Sequence, residues 1–284
     1  MSSNTILFVS FNVNSLRVRM HQIRAVVEKY SPTVIGIQET KVVDDDFPIK
    51  ELEELGYYSY YSGQPTHYGV ALLSKIPLEN VVTDLEGSHQ REQRRFIAGD
   101  LILQAENRDH RIHVINTYFP QGESRKHPTK YDNKLAFYDA VTAYITAVKS
   151  QSAVALLGDL NVAPEDRDVQ LSESGRKRWI KQEACSFLPE EREKFNALLS
   201  LGLSDPYLTV NQDDTHRASW FDYRNRGFTR DPKSGLRIDF VLLSEGLDKC
   251  ATSANIDYDI RAMEKPSDHC PVVTAIDLDK ISLL

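Results

Sequence analysis

The stretch VALLGDLNVAP (154–164) begins as a buried strand and ends as something else. Apolar residues run up to Gly158, and then Asp159 and Asn161 flank Leu160. Residues two apart on an extended chain share a side, so a carboxylate and an amide leave the core together. Taken alone, such a pair reads as a polar turn capping the next helix, because Asp and Asn suit turns and N-caps. What ends the other strands decides whether it is more.

Working outward, apolar runs fit for buried strands recur as TILFVSF (5–11), TVIGI (33–37), YGVALLS (68–74), RIHVINTYF (111–119), AVALL (153–157), IDFVLLS (238–244) and PVVTAI (271–276). Between them, Leu135, Tyr138, Val141, Ile145 and Val148 draw one apolar stripe on a helix. A second helix is predicted to start at Pro189, carry Phe195, Leu198 and Leu199 inward, and stop at Gly202. Strands and helices alternate loosely, with several strand pairs joined directly, so the chain reads as a mixed α/β fold with more than one helix layer over its sheets. No linker or low-complexity block divides it, and a single domain over 1–284 is expected. Two long loops, near Ser174 and near Arg226, are the places expected to carry function.

At 284 residues the chain can bury roughly three quarters of its unfolded surface without staples. Cys185, Cys250 and Cys270 are too scattered for a disulfide framework or paired zinc ligands, which favours a reducing compartment. The N-terminus has no secretory pattern, no apolar run is long enough to span a bilayer, and a soluble cytoplasmic protein is expected. The net charge of -7 argues against coating nucleic acid through the overall field. Basic residues nevertheless cluster in REQRR (91–95), SRKHPTK (124–130), GRKRWIK (175–181) and YRNRGFTR (223–230), which allows a local basic face.

Nearly every polar residue that interrupts the strand pattern does so at a strand end. Asn12 and Asn14 follow the first strand and Glu39 follows VIGIQ. Tyr118 ends HVINTY, Asp159 and Asn161 follow VALL, Asp239 opens IDFVLL, and Asp268 with His269 precedes PVV. If the strands run the same way these residues meet in one pocket, where uncompensated carboxylates would repel. A hard cation resolves the repulsion. Oxygen donors without cysteine suit Mg²⁺ or Mn²⁺, at about 2.0 to 2.2 Å, rather than zinc. No Gly-x-Ser-x-Gly, phosphate-loop or dinucleotide fingerprint occurs. Metal-assisted hydrolysis of a phosphate ester remains.

The segments FNVNSLR, IGIQETK, HYGVALLSK, YFPQGESR, GDLNVAP, RKRW, CSFLPEER, SWFDYR, GLRIDFVLLS and MEKPSDHCPV resemble, in order and spacing, the bacterial exonuclease III family of AP endonucleases, within the exonuclease/endonuclease/phosphatase superfamily. The resemblance covers about 5–276 and leaves a short tail, 277–284. It implies a DNase I-like four-layered α/β sandwich, two packed mixed β-sheets flanked by helices. It also implies Mg²⁺-dependent cleavage of DNA, with Mn²⁺ as a substitute, by a monomer in the cytoplasm at the bacterial nucleoid.

Position by position, the resemblance makes Glu39 the principal metal ligand, with Asn12 and Asp268 in support. Asp159 would orient or deprotonate the attacking water, and Asn161 would hold water and a phosphate oxygen. His269 would bind phosphate, oriented by Asp239, and Tyr118 would lie near the scissile phosphate. Trp220, Phe221, Leu236 and Ile238 would form the lesion pocket, although Trp220 and Phe221 also read as core. Arg94, Gln121, Arg125, Arg178, Arg224 and Arg226 would contact double-stranded DNA with abasic sites or 3' ends. Ser15 stands where the family commonly has glycine and is expected to cap the following helix; Thr117 replaces another glycine beside Tyr118. Two alternatives stay open: a superfamily relative acting on a small phosphate ester, and a DNA-binding module with an inactive site.

Overall fold

The computed structural model describes residues 4–87, 93–105, 108–211 and 217–281. Arg91 of the first basic cluster and the last residues of the C-terminal tail lie outside them. Numbered along the chain, the first six-stranded sheet has the order β13 (Ala251–Ile256), β14 (Val272–Asp277), β1 (Thr5–Asn12), β2 (Val34–Gln38), β4 (Val70–Ser74) and β3 (Tyr58–Ser62). The second six-stranded sheet runs β10 (Leu203–Ser204), β12 (Asp239–Ser244), β8 (Ala153–Asp159), β7 (Arg108–Tyr118), β6 (Phe96–Ala105) and β5 (Leu78–Val82). A ribbon of β9 (Val169–Gln170) and β11 (Gly235–Leu236) stands beside them.

The layers follow from which face each strand residue takes. In β8, Ala155 and Leu157 join the core between the sheets while Val154 and Leu156 face the helices. Burial on both faces is why this strand reads as an unbroken apolar run. Helix α1 (Leu16–Tyr30) presents Leu16, Met20, Ile23 and Val26, three or four apart, to the outer face of the first sheet, joined by α2 (Ile49–Glu54). On the second sheet, α3 (Lys130–Val148) and α5 (Pro189–Leu199) pack Tyr138, Val141, Ile145, Phe195 and Leu198 against Leu156 and Phe240. Helix, sheet, sheet, helix is the four-layered α/β sandwich expected. The sheets are also pinned by polar bonds: buried Asn116 of β7 donates to the carbonyls of Ile37 and Ala71 across the interface, both at 2.9 Å. A Cβ on Gly36 would come within 2.8 Å of the Asn116 side chain, so this crossing requires glycine.

Elements that the apolar runs did not predict include the interior strand β6, the helices α1 and α2, three edge strands and a surface helix. β3, β5 and β13 fully bury only one or two residues each, so their sequences lack a buried-strand signature. Ser174 lies in a helix, not a loop: α4 (Glu173–Gln182) is N-capped by Ser172, whose Oγ accepts from the Gly175 N–H at 3.1 Å. None of its residues is buried, so no apolar stripe announces it. Ser15 gives no side-chain cap to α1; its φ of 92° lies in the region glycine favours, and its N–H bonds instead to the Glu39 carbonyl. The predicted α5 begins at Pro189 but ends at Leu199, with Gly202 turning the chain at φ 92°.

The strands do not all run the same way. β1 and β2 are parallel, as are β7 and β8, whereas β14 is antiparallel to β1 and β12 to β8. Ends of the parallel strands and starts of the antiparallel ones therefore share one rim. The register sets Asp159 opposite both Asp239 and Tyr118.

Candidate active site

At that rim Asn12, Glu39, Asp159, Asp239 and His269 come into contact. Asn12 is fully buried at the end of β1, and its Nδ2 donates to Glu39 Oε1 and Asp159 Oδ2, both at 2.9 Å. Its Oδ1 accepts the Asn14 N–H at 3.0 Å, so Asn12 bridges the two carboxylates and ties them to the turn that follows β1. Glu39 follows β2 with a left-handed φ of 53°, a strained conformation that turns its carboxylate toward the site. Lys41 Nζ lies 2.8 Å from Glu39 Oε2. Although burial alone would raise the Glu39 pKa, the charge and hydrogen bond of Lys41, with Asn12 and His269 beyond, hold it below its ordinary value.

His269 Nδ1 contacts Asp239 Oδ1 and Oδ2 at 3.0 and 2.9 Å, and its Nε2 lies 3.8 Å from Asp159 Oδ2. Burial opposes the imidazolium, but the Asp239 and Asp159 charges outweigh it and raise the pKa to about 10. Asp159 is raised to about 8, by burial first and then by the charge of Asp239, against the opposing pull of His269 and Asn12. Two serines hold this dyad. Ser219 Oγ donates to Asp239 Oδ2 at 2.6 Å, and Ser267 Oγ donates to the Asn12 carbonyl at 2.6 Å while accepting the His269 N–H at 3.2 Å. Glu39, Asp159 and His269 offer ligand atoms within 4.8 Å of one another, a group that could hold a metal ion.

Asp268 stands beside this group and outside it: its oxygens accept from Asn14 Nδ2 at 2.9 Å and Trp220 Nε1 at 3.1 Å. Each of its oxygens thus takes one donor from the protein, as those of Glu39 and Asp159 also do. Burial works against its charge, but His269, Asn14 and Trp220 keep its pKa low. Asn161 has φ 52°, its N–H bonded to Asp159 Oδ1 at 3.0 Å and its Nδ2 to the Phe119 carbonyl at 2.9 Å. Tyr118 lies under the Arg95 guanidinium, 4.5 Å from its ring centroid, and burial followed by the Glu39 charge pushes the phenol well above its usual pKa.

The cleft over these groups, about 120 Å³, is lined by Glu39, Tyr118, Asp159, Asn161 and His269 together with Trp220, Leu236 and Ile238. Gln121 and Asp268 also line it. An adjoining cavity of about 390 Å³ holds Arg178 and Arg230, with Trp179 and Trp220 shared between the two. Phe221 belongs to neither. It is fully buried against Phe228 and Tyr258, so its expected DNA contact is corrected to a core role. The Arg125 guanidinium pairs with Glu190 and Glu183 and is not brought to the cleft. Arg94, Arg224 and Arg226 are exposed and unburdened by core packing.

The chain as a whole has known counterparts. Residues 9–269 match the model of the Endonuclease/Exonuclease/phosphatase family. The chain belongs to that family. Among family relatives, exodeoxyribonuclease III of Haemophilus influenzae is 44% identical over 266 residues, covering 93% of this chain and 97% of that protein. A 3'-5' exonuclease of Neisseria meningitidis superposes with a TM-score of 0.83 at 33% identity, covering 96% of this chain and 100% of that one. An AP endonuclease of Archaeoglobus fulgidus gives a TM-score of 0.84 at 30% identity, with 96% and 99% coverage. Lys41, Ser219, Ser267 and Arg95 carry no assignment from the sequence. Lys41 and Ser267 sit two residues from assigned acids or imidazole, in QETK and SDH, and that adjacency is the one signal that points to them.

Proposed function

We propose that this chain is a divalent-cation-dependent DNA-repair phosphodiesterase. It removes 5'-mononucleotides from 3' ends of duplex DNA and incises 5' to abasic sites, leaving a 3'-hydroxyl, and it clears 3'-phosphates by the same hydrolysis. We further propose that it works as a single-domain monomer in the cytoplasm, where the chromosome lies. The observation that carries the reading is one small cleft whose lining joins a carboxylate–imidazole group to Trp220, Leu236 and Ile238. An ordinary ligand pocket measures roughly 300 Å³ or more, so about 120 Å³ favours a sugar-phosphate that has lost its base. Its resemblance to nucleases and AP endonucleases over nearly the whole chain supports DNA over a small phosphate ester.

Glu39 and Asp159 are the residues that would hold Mg²⁺, with His269 alongside and Lys41 and Asn12 restraining the carboxylates. Two carboxylates within reach of one another fit a hard cation, which would keep both ionised and neutralise charge on the phosphate. Asp159, hydrogen-bonded through Oδ1 to the Asn161 amide, accepts the proton of the attacking water. His269, kept protonated by Asp239, faces a phosphate oxygen through Nε2 and stabilises the charge that develops there. The new P–O bond forms as the bond to the 3'-oxygen breaks, and the 5'-phosphate stays with the abasic sugar. Tyr118, protonated throughout the working pH range, donates toward the phosphate and does not serve as a base.

The deciding experiment is a labelled duplex with one abasic analogue, incubated with Mg²⁺ and with chelator. Expected is a Mg²⁺-dependent nick 5' to the lesion with a 3'-hydroxyl end. Uncut DNA together with hydrolysis of inositol phosphates or sphingomyelin would instead place the chain among the small-ester enzymes of the family.

A further inference from the structure

Below the cleft, on the side away from solvent, an ion pair carries no role so far. Lys134 of α3 and Glu191 of α5 are both wholly inaccessible, and Lys134 Nζ donates to Glu191 Oε1. Its other donations go to backbone: the Asn161 carbonyl at 2.8 Å and the Gln121 carbonyl at 3.3 Å. Glu191 in turn accepts the Ser186 N–H at 2.8 Å and the Leu188 N–H at 2.8 Å through Oε2. The Ser186 carbonyl then receives the Ala163 N–H at 2.5 Å. The pair thus reaches three loops, 120–122, 160–163 and 185–188. Gln121, Asn161 and Ser186 from these loops line the cleft.

We propose that Lys134 and Glu191 are positioning residues for the reaction: together they fix the Asn161 backbone and the Gln121 and Ser186 loops around the scissile phosphate. Burying two charges is costly, and an apolar pair of similar volume often gives an equally stable core. A merely structural site would therefore not need them. What apolar residues could not do is hold carbonyls and amides of three irregular loops at once. Asn161 most needs holding. It stands alone in a left-handed turn, φ 52°, with its carbonyl turned inward to the ammonium while its side chain and N–H serve Phe119 and Asp159.

The inference rests on Asn161 acting in phosphodiester cleavage, and its test separates the two readings. In the double variant Lys134→Met/Glu191→Met no buried charge is left unpaired, so the fold should survive with a melting temperature near wild type. Turnover on the abasic duplex should fall on the order of 10- to 100-fold, the range a small misplacement of reacting groups produces, with KM changed less than about twofold. Amide exchange should accelerate at Asn161 and Ala163 while the amides of β8 stay protected. Full turnover in the stable double variant, or exchange rising evenly through β8, would overturn the positioning role. Should the double variant fail to fold, Glu191→Gln, which keeps the shape and removes the charge, decides by the same split between kcat and KM: unchanged kcat overturns the proposal. If the wild type does not cut DNA at all, the functional reading fails, and exchange at Asn161 alone still decides whether the pair positions it.

Discussion

Trp220→Ala removes a side chain that two different surroundings claim. The indole is half-buried, lines the cleft beside Leu236 and Ile238, and donates through Nε1 to Asp268 at 3.1 Å. Its backbone is locked independently, with reciprocal bonds to Leu236 at 2.9 and 3.0 Å, so truncation leaves the chain path intact. Full burial of such a ring is worth about 3 to 5 kcal/mol on truncation to alanine. Half burial predicts ~2 kcal/mol, and at about 2 to 4 °C per kcal/mol for a chain of this size the melting temperature should fall by roughly 4 to 8 °C. Phe221→Ala is the internal control. That ring is fully buried in the core and should cost the whole ~3 to 5 kcal/mol without altering lesion preference in any molecules that remain folded. For Trp220→Ala, losing one wall of a close-fitting pocket should cost about 1 to 3 kcal/mol of discrimination, a roughly 10- to 100-fold drop in the ratio of kcat/KM on abasic and intact duplexes. Trp220→Phe keeps the wall and loses the bond to Asp268, so it should retain most of the preference. The assay pairs a thermal melt with competition between the two duplexes. An unchanged preference in a variant that melts within the stated range would refute the pocket.

Further expectations follow from the same geometry. Glu39→Ala should need far more Mg²⁺ for any turnover, read from an Mg²⁺ titration of incision; wild-type activity at low Mg²⁺ would remove Glu39 from that role. Asp159→Asn and His269→Asn should each lower kcat by about a hundredfold or more with DNA affinity little changed, measured by single-turnover cleavage beside a binding isotherm. Away from the cleft, Asp257 is buried at the start of a short helix. Burial would raise its pKa, but hydrogen bonds from Lys29 at 2.8 Å and Tyr30 at 2.6 Å hold it low. A depressed folded-state pKa gives stability that is present above the unfolded value and lost as pH falls through the folded one. Asp257→Asn should therefore destabilise at neutral pH by about 1.5 to 3 kcal/mol, with the gap to wild type closing toward the acid end. Denaturant unfolding across pH checks this, and a gap independent of pH would contradict it.

What the sequence discloses about the site depends on contrast. Asp159, Asp239 and Glu39 interrupt or end apolar strands, so each stands out against its neighbours. Which atoms they present does not stand out. That Asn12 turns its Nδ2 to two carboxylates goes with Asn14 placing its N–H 3.0 Å from Oδ1, at the left-handed turn of Asn14 and Ser15. Asp268 likewise looks like any acid in SDH until Asn14 and Trp220, far away in the chain, take both its oxygens. The direction of the strands was equally hidden. Residues at strand ends converge only because β12 and β14 run against their neighbours, and apolar content carries no sign of direction.

Lys134 and Glu191 show a signal of another kind, because both break the rule of the helix that carries them. Tyr138, Val141 and Ile145 define the buried stripe of α3, and Lys134 lies four residues before Tyr138 on that same stripe. Phe195 and Leu198 define the buried stripe of α5, and Glu191 lies four residues before Phe195 on it. Each charge therefore sits one turn N-terminal to a large buried ring of its stripe, in the half of its helix nearest the cleft. An unlike pair placed on two inward faces that the fold packs together has only one economical solution, which is to meet. Once joined, their remaining donors and acceptors must be satisfied by whatever backbone is near, and at this end of the molecule the nearby backbone is that of the loops at the cleft. The chemistry at the rim and the charges beneath it are thus parts of one hydrogen-bonded construction, with Asn161 as the residue they share.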